Sequence, residues 1–300
     1  MHRPDPDSCR DALSPLISAP ALQALLSASA AGGRPRVRVL DCSFDLADPE
    51  AGRRAHAEAR IPGASHLHLD ADLSAPKTGR NGRHPLPAPA DFAARLQALG
   101  LDEGDHLVVC DRSAAMFAGR LWWMLRWIGH ARVQVLDGGF AAWLAAGGEV
   151  ERTPPARTTP APGRFGLRPS LQSTIDHARL RAGLGQPPRL IVDARAPDRF
   201  RGENETLDPV GGHIPGAVNR FFRDNLAADG CFKPAAALRA EWDALRDGRA
   251  PSDLVLQCGS GVTACHHALA LAVAGLPEAA LYPGSWSEWC AQPDAPIARG

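Results

Sequence analysis

The segment best suited to chemistry is Cys258–Thr263, which reads Cys-Gly-Ser-Gly-Val-Thr. It follows an apolar run that predicts a buried strand over 254–257, and it precedes a helical pattern that begins at Thr263. Gly259 and Gly261 allow the backbone to curl so that several N–H groups point inward, and the positive end of the helix adds to them. A thiol at such a place has its thiolate stabilised and is nucleophilic. We expect the other interpretation, a buried and unreactive thiol, for five cysteines: Cys42, Cys110, Cys231, Cys265 and Cys290.

Two kinds of cysteine chemistry use a loop of this shape. A tyrosine-phosphatase site needs an arginine six residues after the cysteine, where it binds phosphate through two hydrogen bonds. Ala264 occupies that position here, which argues against phosphate ester hydrolysis. The remaining reaction is sulfur transfer, in which the thiolate of Cys258 takes a sulfur atom from a donor and carries it as a persulfide. The persulfide is an anion, so the same N–H groups would stabilise it.

The elements that position this loop occur twice in the chain. Ile61–Ala64 returns as Ile214–Ala217 with identical letters, and Asp137–Trp143 returns as Pro283–Trp289 with the same spacing of its glycine, aromatic and tryptophan positions. The order of the matches is kept and their offsets are nearly constant, which indicates an internal duplication. In the same register Asp111 stands where the second copy has its cysteine, and an aspartate cannot carry sulfur.

The duplication sets the domain organisation. We predict an N-terminal domain over 15–150, a linker over 151–169 and a C-terminal domain over 170–300, the half with the reactive cysteine. The linker is predicted to be stiff and extended because it contains five prolines: Pro154, Pro155, Pro160, Pro162 and Pro169.

Each half alternates short apolar runs with helical patterns. Strands are predicted over 36–40, 133–136, 189–192, 254–257 and 280–282, and helices over 118–128 and 263–274. Such alternation is typical of an α/β fold with a parallel sheet covered by helices on both faces. Ligands of these folds bind beyond the carboxyl ends of the strands, where Cys258 lies.

Composition excludes several classes of protein. The 300 residues are 45% hydrophobic, with 33 Lys+Arg and 33 Asp+Glu, so the chain can bury a core and has no net charge with which to attract nucleic acid or an anionic membrane. No apolar run is long enough to span a bilayer. The apolar stretch 15–31 follows a segment rich in aspartate, which favours a structural helix capped by Ser18 over a signal peptide and predicts a cytoplasmic protein.

The cysteines predict neither disulfides nor a metal site. Seven is an odd number and no Cys-x-x-Cys pair occurs. The nearest cluster of metal ligands combines Cys258 and Cys265 with His266 and His267, but adjacent histidines on a helix point about 100° apart, which suits a metal poorly. We therefore expect no metal and no organic cofactor.

Four segments together carry a resemblance to a known family. CGSGVTA at 258–264, the paired IPGA segments, RFRGENETLDP at 199–209 and LYPGSWSEW at 281–289 resemble the tandem-domain rhodanese family, and the resemblance extends from about residue 15 to 297. The neutral loop after Cys258 is similar to that of the branch that uses 3-mercaptopyruvate, whereas members that use thiosulfate typically carry Arg and Lys there. The resemblance implies two α/β domains with an active cleft between them, in a monomer.

The resemblance also implies roles for individual residues. Arg199 matches the arginine that binds the anionic end of the donor; the alternative is an ion pair within the charged run 198–205. Animal members have a second substrate arginine, which has no counterpart in the stretch 205–209. Donor and persulfide would also contact the loop through Gly259, Gly261, Val262 and Thr263, where the Thr263 hydroxyl either donates to the persulfide or caps the helix.

A proton relay is implied in the same way. Ser260, His84 and Asp70 match a serine, a histidine and an aspartate proposed to move the proton of the donor thiol. A histidine oriented by a carboxylate performs such transfer near neutral pH. The alternative is that His84 only caps the mobile-looking loop 79–82.

The predicted activity is therefore transfer of sulfur from 3-mercaptopyruvate, through a persulfide on Cys258, to a thiol, thioredoxin or cyanide. Two alternatives stay open: the same machinery acting on thiosulfate, and a persulfide carrier that does not turn over.

Overall fold

The computed structural model describes residues 13–152, 160–187, 189–277 and 279–300 of the chain. These residues form two halves of the same architecture, each a parallel five-stranded sheet with helices on both faces. The predicted fold class is confirmed. Part of the predicted proline-rich linker, residues 153–159, lies outside the described residues.

The first half contains five strands and five helices in its described part. They are β1 Leu16–Ile17, α1 Ala19–Ala30, β2 Val37–Asp41, α2 Ala51–Glu58, β3 Ser65–His66, α3 Pro89–Ala98, β4 His106–Cys110, α4 Ala118–Trp127, β5 Val133–Leu136 and α5 Gly139–Ala145. Helix α1 begins as predicted, with the Ser18 hydroxyl accepting from the backbone N–H of Ala21.

The second half repeats this order of strands. Its elements are β6 Ser173–Thr174, α6 His177–Ala182, β7 Leu190–Asp193, α7 Pro197–Arg201, β8 Val218–Asn219, α8 Ala235–Arg246, β9 Leu254–Gln257, α9 Thr263–Val273, β10 Ala280–Leu281 and α10 Ser285–Trp289. Short 3-10 helices cover 222–225 and 251–253. The predicted strands and helices agree with these bounds to within one or two residues.

Both sheets have the same strand order. It is β1-β5-β4-β2-β3 in the first half and β6-β10-β9-β7-β8 in the second, with every pair parallel. Strands β4 and β9 are central and fully buried, as their unbroken apolar runs require. The loops that follow β4 and β9 therefore leave equivalent places at the carboxyl edges of the two sheets.

The two halves meet where α4 packs against α9. A Cβ atom built on Gly119 would lie 3.2 Å from the Cα of His266, so the helices approach closely only because residue 119 is glycine. Beside it the fully buried Arg120 donates to the carbonyl of Gly261 at 3.1 Å and to that of His84 at 3.0 Å. The interface thus fixes the loop after β9 relative to the His84 segment. No helix in the described part of the chain is long and apolar enough to cross a membrane.

Candidate active site

Cys258 lies directly beyond β9, in a loop held by α10. Its backbone N–H donates to the Ser285 hydroxyl at 3.1 Å, and its carbonyl accepts from the N–H of Trp286 at 3.0 Å. Gly261 has φ +77°, and a Cβ atom there would lie 2.3 Å from the carbonyl oxygen of Pro283. The second glycine of the motif is therefore required both by its backbone conformation and by close approach of another chain segment.

The loop leaves a run of backbone N–H groups free. In the described part of the chain, none of the N–H groups of residues 259–264 donates to a protein acceptor. Helix α9 begins at this point, with Val262 as its N-cap residue and no side-chain cap. Six consecutive donors next to the positive end of a helix form a site for an anion.

The first half shows such a loop with its anion in place. The Asp111 carboxylate accepts from the N–H groups of Ser113 at 2.8 Å, Ala115 at 3.0 Å, Phe117 at 2.8 Å and Ala118 at 2.9 Å. Asp111 is 1% exposed, so these four bonds replace its solvation. The duplicated loop can therefore surround a negative charge at the position of Cys258.

A cavity of about 160 Å³ opens onto Cys258. Cys258 is only 2% exposed, so its sulfur is reached through this cavity rather than from the molecular surface. No described residue makes a hydrogen bond to the sulfur. The lining includes Arg83, His84 and Phe117 from the first half, and Arg199, Phe221, Cys258, Gly259, Ser260, Val262 and Thr263 from the second. Gly261 does not line it, so this glycine serves the loop conformation only.

The three predicted relay residues lie together, but only one link is a hydrogen bond. Ser260 Oγ and His84 Nδ1 are 2.7 Å apart. Asp70 Oδ1 lies 3.6 Å from His84 Nε2, which exceeds hydrogen-bond distance, and 3.2 Å from the ammonium of Lys77. The loop 79–82 is docked rather than free, because the N–H of Arg83 donates to the Ser287 hydroxyl at 3.0 Å.

Burial, and then the nearby Arg120 guanidinium, lower the pKa of His84 to about 3. The imidazole of His84 is therefore neutral at physiological pH. A neutral imidazole accepts a hydrogen bond at Nδ1 when its proton is on Nε2, so Ser260 can donate to it. An anion bound beside the imidazole would raise its pKa again.

Arg199 stands at the cavity within an ion pair. Its Nε and Nη2 atoms donate to the Glu205 carboxylate at 2.8 to 3.2 Å, while its side chain stays 20% exposed. Arg199 therefore lines the cavity, as donor binding requires, and also forms an ion pair within the charged run 198–205, as the alternative predicts. Arg195 also lines the cavity, but it is buried and donates to Asp193 and to the carbonyl of Gly212, which is a structural role.

Comparison with known proteins identifies the family. The model of the rhodanese-like domain matches residues 21–146 and 176–292. A probable 3-mercaptopyruvate sulfurtransferase of Pseudomonas aeruginosa is 48% identical over 287 residues, which cover 95% of this chain and 98% of that protein. This chain belongs to the rhodanese family. The thiosulfate sulfurtransferase of Bos taurus is also similar, at 37% identity over 89% of this chain and 90% of that protein.

Solved structures show the same rhodanese fold. SseA from Escherichia coli, described together with the catalytic mechanism of 3-mercaptopyruvate sulfotransferases, is 28% identical with a TM-score of 0.76, and the match covers 91% of this chain and 99% of that one. The resemblance stated from the sequence is thereby confirmed, and the relatives of this rhodanese are named sulfurtransferases of both donor types.

Two other features of the rhodanese loop concern Thr263 and the adjacent histidines. Thr263 lines the cavity and is the first residue of α9 rather than its cap, so the capping alternative is wrong. His266 and His267 both turn Nδ1 toward the amide of Asn225, at 3.2 and 2.9 Å. Among the described residues, no three His, Cys, Asp or Glu side chains are grouped so as to hold a metal ion.

Sequence reasoning missed two arginines of the first rhodanese domain, one that lines the cavity and one behind the loop. Arg83 reaches the cavity and pairs with the buried carboxylate of Asp208, and Arg120 lies behind the loop. The only signal for Arg83 was its place beside His84. Both contacts depend on how the two halves dock, which composition and periodicity do not report.

Proposed function

We propose that this rhodanese-family protein transfers sulfur from 3-mercaptopyruvate to a thiol acceptor through a persulfide on Cys258. The thiolate of Cys258 attacks the donor sulfur, a sulfur–sulfur bond forms and the carbon–sulfur bond breaks. The electron pair of the broken bond remains on carbon, so pyruvate leaves as its enolate and is then protonated. An acceptor thiol, thioredoxin or cyanide removes the outer sulfur and restores the thiolate.

The observation that carries this proposal is the run of free N–H groups around Cys258. A thiolate and a persulfide are both anions, and backbone N–H groups that have no protein acceptor can stabilise such an anion when it forms. The four N–H groups around Asp111 support the assignment, because they bind a carboxylate at the equivalent position.

Ser260 and His84 are proposed to move the proton. The donor thiol must lose a proton and the enolate must gain one, and a hydroxyl bonded to an imidazole at 2.7 Å can pass it in both directions. Asp70 is proposed to orient His84 once the cleft closes on the donor and their 3.6 Å separation shortens. Arg199 is proposed to bind the donor carboxylate through its unused Nη1 atom.

Thiosulfate is the second candidate donor. It is favoured by the similarity to a thiosulfate sulfurtransferase of Bos taurus and by the arginines at the cavity, which suit a divalent anion as well. The neutral residues Gly259 and Ser260 favour the singly charged thiol acid. The cytoplasmic location, the monomeric state and the domain boundaries at 150 and 170 stay predictions.

The test is steady-state kinetics with cyanide as acceptor and each donor in turn. We expect the kcat/KM for 3-mercaptopyruvate to exceed that for thiosulfate by at least about tenfold. The reverse order would support the thiosulfate alternative, and a single turnover with either donor would support the persulfide carrier. His84→Ala should reduce kcat for 3-mercaptopyruvate by about 100-fold and leave thiosulfate, which has no thiol proton, less affected. Equal losses with both donors would contradict the relay.

A further inference from the structure

Arg120 of α4 brings a positive charge into the interface behind the loop that follows β9. Its side chain is fully buried, and it does not line the cavity at Cys258. Its hydrogen bonds go to three carbonyl groups, those of Gly261 at 3.1 Å, His84 at 3.0 Å and Leu73 at 3.4 Å. Its Nε atom is buried with no hydrogen-bond partner in the described part of the chain. Burying a guanidinium without water or an anion beside it is costly, so this interface lacks a compensating charge.

The arginines that line the cavity are different, because each has a carboxylate partner. The three pairs are Arg83 with Asp208, Arg195 with Asp193, and Arg199 with Glu205. Among the described residues, no carboxylate forms an ion pair with Arg120.

The sulfur atoms are the remaining candidates for that partner. The Cys265 thiol lies beside the guanidinium of Arg120, but burial raises the pKa of this thiol to about 12, so it is neutral at physiological pH. Burial lowers the pKa of Arg120 itself, and a negative charge on Cys265 or Cys258 opposes that effect. An anion at Cys258 would therefore compensate the charge that the interface leaves unpaired.

The bond to Gly261 also sets the direction of one N–H group of the loop. In a trans peptide unit the carbonyl and the following N–H point to opposite sides. Because the Gly261 carbonyl is turned toward Arg120, the N–H of Val262 is turned away from it. Val262 lines the cavity, and its N–H has no acceptor in the described part of the chain. Arg120 thus orients a free donor of the loop from behind.

The first half has the same contact, but with a neutral residue. Ala114 is the counterpart of Gly261, and its carbonyl accepts from Nε2 of His266, on α9, at 3.2 Å. His266 lies 146 positions after Arg120 (266 and 120), the offset of the repeat that follows these helices. Burial lowers the pKa of His266 to about 3, so its imidazole is uncharged. The loop that holds its own carboxylate therefore has a neutral side chain behind it, whereas the loop with the cysteine has a cation.

We propose that Arg120 is a positioning residue for sulfur transfer, whose unpaired charge stabilises the thiolate and the persulfide of Cys258 from behind the loop. It turns the N–H of Val262 toward the anion and adds a positive charge that water screens little in a buried interface. It acts through the loop rather than on the donor, because it does not line the cavity. This inference rests on the proposed function and assigns to the first half the charge that balances the anionic sulfur.

The first test follows alkylation of Cys258 by iodoacetamide from about pH 6 to about pH 10, with mass spectrometry of the peptide that contains it. Arg120→Gln keeps a donor for the Gly261 carbonyl but carries no charge, so half-maximal alkylation should move upward by at least about one pH unit. Arg120→Lys keeps the charge and should move it by less than about 0.3 unit. A side chain that only packs or donates would give the opposite ranking or no difference.

The other ionisable groups around the sulfur do not change charge in this range. The pKa of His84 is about 3 and that of Cys265 about 12, while Arg83, Arg195 and Arg199 stay protonated. The profile therefore reports the ionisation of the reactive thiol.

Arg126→Gln is the matched control for this profile. Arg126 is a half-buried arginine of the same helix that lies over the Trp122 ring and donates no hydrogen bond to the loop in the described part of the chain. Its loss should leave the alkylation profile unchanged. An equal shift in this variant would mean that any charge in α4 has the same effect.

A double-variant cycle tests the charge without turnover. Cys258→Asp places a permanent carboxylate in the loop, whereas Cys258→Ser places none. Adding Arg120→Gln should lower the melting temperature of Cys258→Asp at least about 3 °C more than that of Cys258→Ser near neutral pH, because only the former has an anion to stabilise. Equal losses in the two backgrounds would show that Arg120 serves packing alone.

The outcomes separate this inference from the proposed function. Arg120→Gln should lower kcat/KM at least about tenfold with both donors, since it acts on the sulfur of the enzyme. An unshifted alkylation profile in Arg120→Gln would overturn the inference. If that variant does not fold, Arg120→His, which introduces the residue type of the first half, takes its place in every measurement. A wild type inactive with both donors would refute the proposed function instead, and the alkylation and melting results would still decide the role of Arg120.

Discussion

The loops after β4 and β9 occupy equivalent places in the two halves, but they differ in the residue at the anion position. The first is closed by a built-in anion, the Asp111 carboxylate, which takes four N–H groups at 2.8 to 3.0 Å. In the second loop, the N–H groups of residues 259–264 donate to no acceptor in the described part of the chain. Four of these residues border a cavity, and a cysteine stands where the first loop has its aspartate. The comparison indicates that the duplicated loop can bind an anion. In the second copy, the proposed anion is the thiolate or persulfide of Cys258.

The residues around the two loops also differ, because only the loop after β9 has side chains of the other half beside it. Around Asp111 the four bonds are internal and the carboxylate is sealed. Around Cys258 the other half of the molecule supplies Arg83, His84 and, from behind, Arg120. The first half thus has an aspartate at the position equivalent to Cys258, and it contributes side chains to the cavity of the second half.

The largest effect is expected from making the second loop like the first. Cys258→Asp should abolish turnover by about 10³-fold or more, as should Cys258→Ser, because the nucleophile is gone. The two variants should differ in stability. An aspartate can fill the free N–H groups as Asp111 does, so Cys258→Asp should melt at or above the temperature of Cys258→Ser near neutral pH.

Thermal denaturation of both variants, together with turnover on both donors, checks this prediction. A Cys258→Asp protein that melts well below Cys258→Ser would mean that the second loop does not accommodate a charge, and the comparison with Asp111 would fail. Normal turnover by Cys258→Ser would place the reactive group elsewhere.

Sequence patterns predicted the parts of this comparison that are local. The apolar run 254–257 located β9, the glycines located the loop after it, and the repeat placed Asp111 at the position equivalent to Cys258. The contacts of Ser260 with His84 followed from the family resemblance, since 176 positions separate the two residues (84 and 260). Nothing in the sequence indicated that Asp70 would stand 3.6 Å from the imidazole.

The remaining features arise from docking of the halves. Arg83 pairs with Asp208 across the interface, whereas the sequence of residues 205–209 shows only that this stretch contains no arginine of its own. Burial in the same interface lowers the pKa of His84, which a residue type alone cannot reveal. Long-range contacts of this kind depend on helix packing at Gly119 rather than on any motif.

A second prediction concerns the left-handed residue of each loop. Gly261 has φ +77°, and its counterpart in the first loop is Ala114 at φ +53°. Gly261→Ala should lower kcat/KM by about 10- to 100-fold and the melting temperature by several degrees, because the added methyl meets the Pro283 carbonyl and strains the backbone. Ala114→Gly should change either quantity little, since glycine adopts that conformation freely and only the unfolded state gains entropy.

The melting temperature is measured by circular dichroism, and kcat/KM is measured with each donor, for both variants. Similar losses in both would show that the loops tolerate a side chain equally, and that close packing against Pro283 does not govern the reactive loop.

The smallest effect is a pH dependence of stability linked to His84. In the folded protein its pKa is about 3, whereas an unfolded histidine titrates near 6.5. Between these values the unfolded chain binds a proton that the folded chain does not, so the free energy of unfolding falls as pH decreases below about 6.5. His130 and His266, with pKa values lowered by burial to about 4 and about 3, act in the same direction, so the wild type should lose stability steeply in this range.

His84→Gln isolates one of these protons. The amide can still accept a hydrogen bond from Ser260 but does not titrate, so the slope of unfolding free energy against pH should decrease by about 1.4 kcal/mol per pH unit between pH 4.5 and 6. Urea titrations at several pH values measure the slope, with the exposed Arg80→Gln variant as control. A slope identical to the wild type would mean that His84 titrates normally in the folded state. The imidazole of His84 would then be solvated, and the loop after β9 would not be shielded from bulk water.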